Sequence, residues 1–294
     1  MITVSIIGIG RVGGALALAL PRDRFSVENL VYHRSRELAD TIGEVLPSAK
    51  VTTLTDLADD ADIVFITTQD PEIAPVCREL CLKLKSGRII LHTSGARSSQ
   101  ILDGLRANGN SIGSMHPLVS VSSAEAGPER FQDAYFCVEG DADAVDIATQ
   151  IATSLGGIPF SIDTKFKTLY HAAAVTACGH LVALFDAAVE MMSKTGLSET
   201  DSKRILLPLV KSTVQNLEDQ GTAAALTGTF ARADVETFAE HLKTLNTNVS
   251  DDLLEIYLLL GERSLELAAK QGVNADRIDT MRTKVSIAKS KLKW

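Results

Sequence analysis

The chain has 294 residues, 45% of them hydrophobic, enough for two domains with a sizeable buried core. Its 29 basic against 37 acidic residues give a net charge of −8, with no basic stripe, which disfavours non-specific binding to nucleic acid or anionic membrane.

The first predicted element is an apolar strand, Thr3–Ile7, which leads straight into Gly8, Gly10 and Gly13 and then into a helix over Val12–Leu20. Strand, glycine turn and helix in that order set out the dinucleotide fingerprint G-x-G-x-x-G in its required setting. Gly8 permits the tight turn, Gly10 lets a pyrophosphate approach the backbone, and Gly13 lets helix and strand pack closely. Arg11 and Val12 open the helix, whose N-terminus offers free N–H groups and a positive dipole end to phosphates. The bland alternative is a βα turn with no ligand. No charged segment, apolar run and cleavage site precedes the strand, so the expectation is a cytoplasmic protein without a secretory signal.

The second strand, Leu30–His33, is followed by Arg34, Ser35 and Arg36. An acid that reads an adenosine ribose belongs at this strand end. None stands there: Glu28 lies at the other end of the strand and Glu37 is already inside the next helix. His33, Arg34, Ser35 and Arg36 instead suit a 2′-phosphate, since arginine makes bidentate, charge-assisted bonds to phosphate oxygens. NADP(H) is therefore expected ahead of NAD(H), and a solvated basic loop is the alternative.

Further strands are predicted at Lys50–Thr53, Ile63–Thr67, Arg88–Thr93, Ser111–Met115, Tyr135–Val138 and Pro159–Ile162. Helices are predicted between them at Arg36–Glu44, Glu72–Leu84, Ser98–Ala107 and Ala142–Leu155. This alternation implies an α/β domain, a doubly wound, mostly parallel sheet, over residues 1–163. Ligands of such sheets sit beyond the carboxyl ends of the strands. Three of those ends are polar: Thr67-Thr68-Gln69-Asp70, His92-Thr93-Ser94-Gly95 and His116-Pro117. Asp70 and Pro71 could simply open a helix, Ser94 a turn, and His116 could be a core residue held extended by Pro117. Their coincidence at one sheet edge points to Thr67, Thr68, Gln69, Thr93 and Ser94 as cofactor contacts. His116 is the first candidate for proton exchange near neutral pH, oriented or relayed by Ser94.

Cys77, Cys81, Cys137 and Cys178 show no C-x-x-C spacing, and the histidines form no metal pattern, so reduced thiols and no metal are expected. From Lys165 onward strand-like runs vanish, and helical spacing takes over at Lys165–Met192, Asp201–Gln220, Val235–Thr244, Asp251–Gln271 and a last stretch to Trp294. A helical domain over 164–294 is therefore expected. The apolar stretch Tyr170–Val189 reads as a buried helix, central to that domain or to a dimer interface. Lys167 and His171, four apart, share one helix face and are candidate catalytic and substrate-binding residues. Arg232 could clamp a carboxylate or phosphate, or simply pair with Asp234 or Glu236.

Taken together, Gly8 to Gly13, His92 to Gly95, Ser114 to Leu118, Tyr170 to Ala174 and Leu226 to Arg232 resemble a known family. It comprises Rossmann-like proteins whose C-terminal half is the domain of unknown function 2520, described as NADP-dependent or deazaflavin-dependent oxidoreductases. More distantly, the chain is similar to pyrroline-5-carboxylate reductase, ketopantoate reductase, and the β-hydroxyacid and prephenate dehydrogenases. The prephenate enzymes imply a role for His116 on a substrate hydroxyl. The β-hydroxyacid dehydrogenases match the spacing of Lys167 and His171, with histidine where they have asparagine. The chain departs from the nearer family at Gly179-His180, where asparagine is expected, and at Thr229 and Ala233, where proline and glycine are expected. The resemblance implies the fold, with a C-terminal domain like that of 6-phosphogluconate dehydrogenase, and the NADP(H) cofactor class, and it names no substrate. The residues themselves are read as an NADP(H)-dependent oxidoreductase acting on a small anionic keto, imino or hydroxy acid. A homodimer through the helical domain is expected, and no nucleic-acid or membrane partner. A non-catalytic NADP(H) sensor, or NAD or a deazaflavin as the carrier, are the alternatives.

Overall fold

A computed structural model describes residues 1–34, 36–57, 60–125 and 127–292. The chain forms two compact units, Met1–Thr176 and Ala177–Trp294.

The first unit is built on an eight-stranded sheet among the described residues. Its strands are β1 (Ile2–Ile7), β2 (Phe25–Val31), β3 (Lys50–Thr52), β4 (Ile63–Ile66), β5 (Ile89–His92), β6 (Ser111–Pro117), β7 (Tyr135–Gly140) and β8 (Ile158–Ser161). They lie in the order β3-β2-β1-β4-β5-β6-β7-β8. β1 to β6 are parallel, β7 pairs antiparallel with β6, and β8 runs parallel to β7. The expected doubly wound, mostly parallel sheet is what forms. Alternate residues of β1 go to opposite faces: Val4 and Ile6 to one apolar cluster, Ile7 to the other.

Helices cover both faces. α1 (Arg11–Ala19), α2 (Arg36–Val45) and α6 (Ala142–Ser154) contribute Leu16, Ile42 and Ile151 to one cluster. α3 (Asp70–Leu80) and α4 (Asp103–Ala107) contribute Ile73, Leu80 and Leu105 to the other. A short α5 (Gly127–Phe131), which the sequence pattern does not signal, precedes β7. α3 starts two residues earlier than its periodicity suggests. Gln69 rather than Asp70 is its N-cap, because Pro71 fits either of the first two helical positions, where no N–H is needed.

The switch point of the sheet, where strand order reverses, falls between β1 and β4, directly under the glycine turn. Gly8 has φ +104°, and a Cβ there would stand 2.7 Å from the backbone nitrogen of Thr68. A Cβ on Gly13 would stand 2.4 Å from the Gly8 carbonyl oxygen and 2.4 Å from Thr67 Oγ1. These two glycines let strand, turn and helix close on one another.

α7 (Lys167–Ala177) follows β8 and groups with the sheet, although the change in composition places it with the helical half. Its Lys167 is only 1% exposed, anchored under the sheet edge. The second unit holds α8 (Gly179–Ser193), α9 (Glu199–Gln220), α10 (Gly228–Ala231), α11 (Val235–Asn248), α12 (Asp251–Lys270) and α13 (Ala275–Lys289). Phe238, Leu254, Leu258, Leu265, Met281 and Val285 form its core. Ala233 sits there at φ +45°, a left-handed conformation that favours glycine, at the position where the family resemblance implied glycine.

The expectation that Tyr170–Val189 is a buried helix is corrected. It is broken by a turn at Cys178, and only 11% of its most apolar window is buried. It lies in a stretch long and apolar enough to cross a membrane by length and composition. α8 buries Ala187 and Val189 but leaves Leu181, Val182 and Leu184 exposed.

Candidate functional site

The glycine turn opens on a cavity of about 460 Å³. Gly8, Ile9, Gly10, Arg11, Val12, His33, Arg34, Thr67, Thr68 and Gln69 line it, joined by Leu38 and Glu72. Most of the sequence-predicted cofactor contacts thus meet in one place. Arg36 does not line this cavity: it is 71% exposed and pairs with Asp40 along α2 at 3.4 Å. Ser35 lies outside the described residues. Thr93 donates its N–H to the Ile66 carbonyl, a bond that extends the sheet.

Three observations fit the cavity to a phosphate-bearing ligand. A Cβ at Gly10 would meet nothing within 4 Å, so the turn leaves open space above the first residues of α1. The N-terminus of α1 has no side-chain cap, so its free N–H groups face that space. Thr68 Oγ1 is buried without a hydrogen-bond partner. Thr67 is already engaged: its hydroxyl donates to the carbonyls of Ile7 and Gly8 at 3.1 and 2.8 Å, bracing the turn from β4.

At the rim of the same cavity stands Glu72, which no sequence signal marked. No carboxylate follows β2, but α3 delivers one: Arg34 Nη2 donates to Glu72 Oε1 at 2.8 Å and to Gln69 Oε1 at 3.2 Å. His33 Nδ1 stands 3.7 Å from that same glutamate oxygen.

The second cluster gathers at the carboxyl ends of β5 and β6. His116, near the end of β6, bonds through Nδ1 to the Tyr170 hydroxyl at 2.8 Å. Its ring packs edge-on against Tyr170 and His171, with centroids 5.7 and 5.8 Å away. Gly95 makes room for both imidazoles: a Cβ there would lie 2.4 Å from His171 Nδ1 and 2.8 Å from His116 Nε2. His171 Nδ1 is buried and has no hydrogen-bond partner. Two imidazole nitrogens therefore converge over one glycine, and one of them is unsatisfied.

Ser94 does not fill the relay place suggested for it. Its hydroxyl accepts from the N–H groups of Ala96 and Arg97 at 3.2 and 3.0 Å, closing the turn after β5. The partner of His116 is Tyr170, 54 residues away in sequence.

Lys167 lies beneath these rings. Its ammonium donates to Ser114 Oγ at 2.8 Å and stands 3.8 Å from Cys137 Sγ and 5.6 Å from the Tyr170 ring centre. Ser114 Oγ in turn donates to the Ser94 carbonyl at 3.4 Å. Burial holds the Lys167 ammonium below its ordinary pKa, opposed by Cys137 and the nearby Glu139 carboxylate. Burial also pushes His116 down to about 3, reinforced by the positive charges of Lys167 and His171. His92, at the end of β5, is brought to about 3 by burial and then by Lys167, and its Nδ1 accepts from the Ser94 N–H. Tyr170 is raised above the ordinary phenol range, chiefly by burial. Burial thus disfavours the charged forms of His116 and His92, and it opposes the ammonium of Lys167 behind them as well.

Arg232 belongs to the second unit, exposed at the turn after α10. Asp234 there caps α11 by accepting from Thr237, which lowers its carboxyl, with Arg232 adding a smaller pull. Among the described residues, no group of three or more His, Cys, Asp or Glu is placed to hold a metal.

A family model described as a Rossmann-like domain matches residues 1–117, and one described as a domain of unknown function, DUF2520, matches residues 134–264. No curated protein sequence matches the chain. A Bacteroides fragilis protein provisionally described as an NADP oxidoreductase shares the fold, with a TM-score of 0.73 and 22% identity over 90% of this chain and 98% of that one. A Thermotoga maritima protein matches with a TM-score of 0.72 and 24% identity, over 91% of this chain and 99% of that one. A pyrroline carboxylate reductase of Plasmodium falciparum, solved with NADP bound, matches with a TM-score of 0.55 and 17% identity, over 91% and 98%.

Proposed function

Because the chain joins a Rossmann-like domain to DUF2520, we propose that it is an NADP(H)-dependent oxidoreductase acting on a small anionic keto, imino or hydroxy acid. The observation that carries this reading is the presence, in one unit, of an open glycine turn and two imidazole nitrogens converging over Gly95. The solved relatives described as NADP oxidoreductase and as NADP-bound pyrroline carboxylate reductase support it.

Gly8, Gly10 and the first turn of α1 would hold the pyrophosphate, and Arg34 the 2′-phosphate. When bound, the nicotinamide supplies or removes a hydride. His116 then exchanges the accompanying proton. Neutral in the resting site, it accepts a proton from a CH–OH group and returns one to a reduced oxygen or nitrogen. Tyr170 fixes the ring through Nδ1, which leaves Nε2 facing Gly95. An anionic substrate beside His116 raises its proton affinity, by the Coulomb effect with which Lys167 lowers it. His171 offers its free nitrogen to the substrate. Lys167, too deep for direct contact in this structure, supplies a positive charge behind the two rings.

Calorimetric titration with NADPH, NADH and a reduced deazaflavin tests the cofactor. NADPH is expected to bind most tightly, and Arg34→Ala to remove most of its advantage over NADH. Gly10→Ala is expected to abolish binding at unchanged stability, since the added methyl meets no protein atom. Gly13→Ala is expected to cost about 2 kcal/mol or more in urea unfolding, because its methyl collides with backbone. Binding of the deazaflavin alone, or of none of the three, overturns the assignment. Once a keto or imino acid is turned over, His116→Ala is expected to lower kcat by roughly 100-fold or more. Unchanged turnover would take the proton-exchanging role from His116, whereas NADPH binding without turnover of any keto, imino or hydroxy acid would favour a non-catalytic sensor.

We also propose a cytosolic homodimer. The four cysteines are free, as in a reducing compartment. α8 and α9 expose the apolar side chains of Val182, Ile205, Leu209 and Val214, which a second copy of the chain would cover. Sedimentation equilibrium is expected to give twice the 31.5 kDa chain mass, and Val182→Glu/Leu209→Glu is expected to return it to one.

A further inference from the structure

We propose that Glu72 is a specificity-determining residue of the dinucleotide cavity, competing with a 2′-phosphate for Arg34 and otherwise reading the ribose hydroxyls. This rests on the cofactor reading above and concerns the balance between NADP(H) and NAD(H) in that cavity.

Of the two partners, Glu72 is the fixed one. It lies in the first turn of α3, with its N–H bonded to the Gln69 carbonyl at 2.8 Å, and its side chain is 24% exposed. Negative charge is favoured at that helix end. Arg34 lies in the segment beyond β2 with its side chain 65% exposed, and its bonds to Glu72 and Gln69 both reach across to α3. The carboxylate is therefore held in place, and the guanidinium is the movable group.

A guanidinium offers a fork that suits either a carboxylate or a phosphate. Here the fork is already turned toward Glu72 and Gln69. A 2′-phosphate drawn to Arg34 must displace Glu72 and then remain close to it as a neighbouring anion, a like-charge contact that lowers affinity. A ribose without that phosphate meets the opposite situation. Its hydroxyls are donors, and Glu72, held beside Arg34 and His33, is an acceptor at the cavity rim. This supplies from α3 the acid that the sequence after β2 lacks. Attraction by Arg34 and opposition by Glu72 act on the same phosphate, so the chain is built for moderate rather than absolute preference for NADP(H).

Calorimetry on the full chain with adenosine 2′,5′-bisphosphate and adenosine 5′-monophosphate isolates this effect from the nicotinamide. Glu72→Gln keeps shape and removes charge, and Glu72→Ala removes the acceptor as well. The ratio of affinities, bisphosphate over monophosphate, is expected to rise about tenfold or more in both variants. The monophosphate alone is expected to weaken several-fold in Glu72→Ala. A ratio within twofold of the parent's, with both fragments still binding, overturns the role of Glu72 and leaves the cofactor reading intact. If neither fragment binds the parent or the variants, the cofactor reading fails and the inference with it.

Discussion

Lowering the pH from about 7 to about 4 is expected to remove about 3 kcal/mol of folding stability through His92 alone. Its ordinary pKa is 6.5, and burial first, then the Lys167 charge, holds it near 3 in the folded protein. Between those values the unfolded chain binds a proton that the folded chain refuses. Stability is therefore intact above 6.5, falls as the pH drops toward 3, and changes no further below that through this group. Each pH unit separating the folded and unfolded pKa corresponds to about 1.4 kcal/mol, so the full span approaches 5 kcal/mol. His116, displaced the same way and for the same first cause, adds to the loss across the same window. Urea unfolding of the parent and of His92→Asn at the two pH values checks this. Asparagine places Oδ1 where His92 Nδ1 accepts from the Ser94 N–H and does not titrate, so the variant is expected to lose markedly less stability on acidification. Equal losses in both proteins would show that His92 is not the acid-sensitive group.

The second large effect is expected at Gly95. A methyl there would overlap His171 Nδ1 and His116 Nε2, and His116 cannot easily withdraw, since Tyr170 bonds it from the other side. Gly95→Ala is expected to cost about 1–3 kcal/mol of stability by overpacking. Misplacing the proton-exchanging ring by an ångström is expected to lower kcat by roughly 100-fold. Affinity for NADPH, held by the glycine turn, is expected to stay within about twofold. Loss of cofactor affinity in parallel with kcat would show instead that the two clusters move as one.

The eight strands were legible as short β-type runs bounded by turn residues, as Ile63–Ile66 is before Thr67 and Thr68, although β2 runs over Phe25–Val31 and starts five residues before the expected Leu30. The glycine turn was legible because its signal is local. What escaped was non-local. Tyr170 meets His116 across 54 residues, and Glu72 meets Arg34 across 38, and neither pairing leaves a mark in spacing. A hydroxyl beside a strand end serves a turn or a relay equally well in sequence, and only geometry shows that the Ser94 hydroxyl closes the turn after β5. The apolar stretch after Tyr170 was read as buried because periodicity reports what a helix is made of, not whether its own chain covers it.

The reversal of β7 and β8 against the other strands brings the chain back to the amino end of β6, from which α7 rises alongside that strand. Lys167 therefore meets Ser114 at mid-strand, and Tyr170 meets His116 nearer the end. The start of α7 is pinned on the way: Thr164 donates to the buried Glu139, which also accepts twice from Ser99. A helix turns about 100° per residue, so one residue inserted between Ser161 and Lys167 would swing Lys167 and Tyr170 off their partners together. What descent must keep constant at this joint is a number of residues, and the identities of several of them are free to drift.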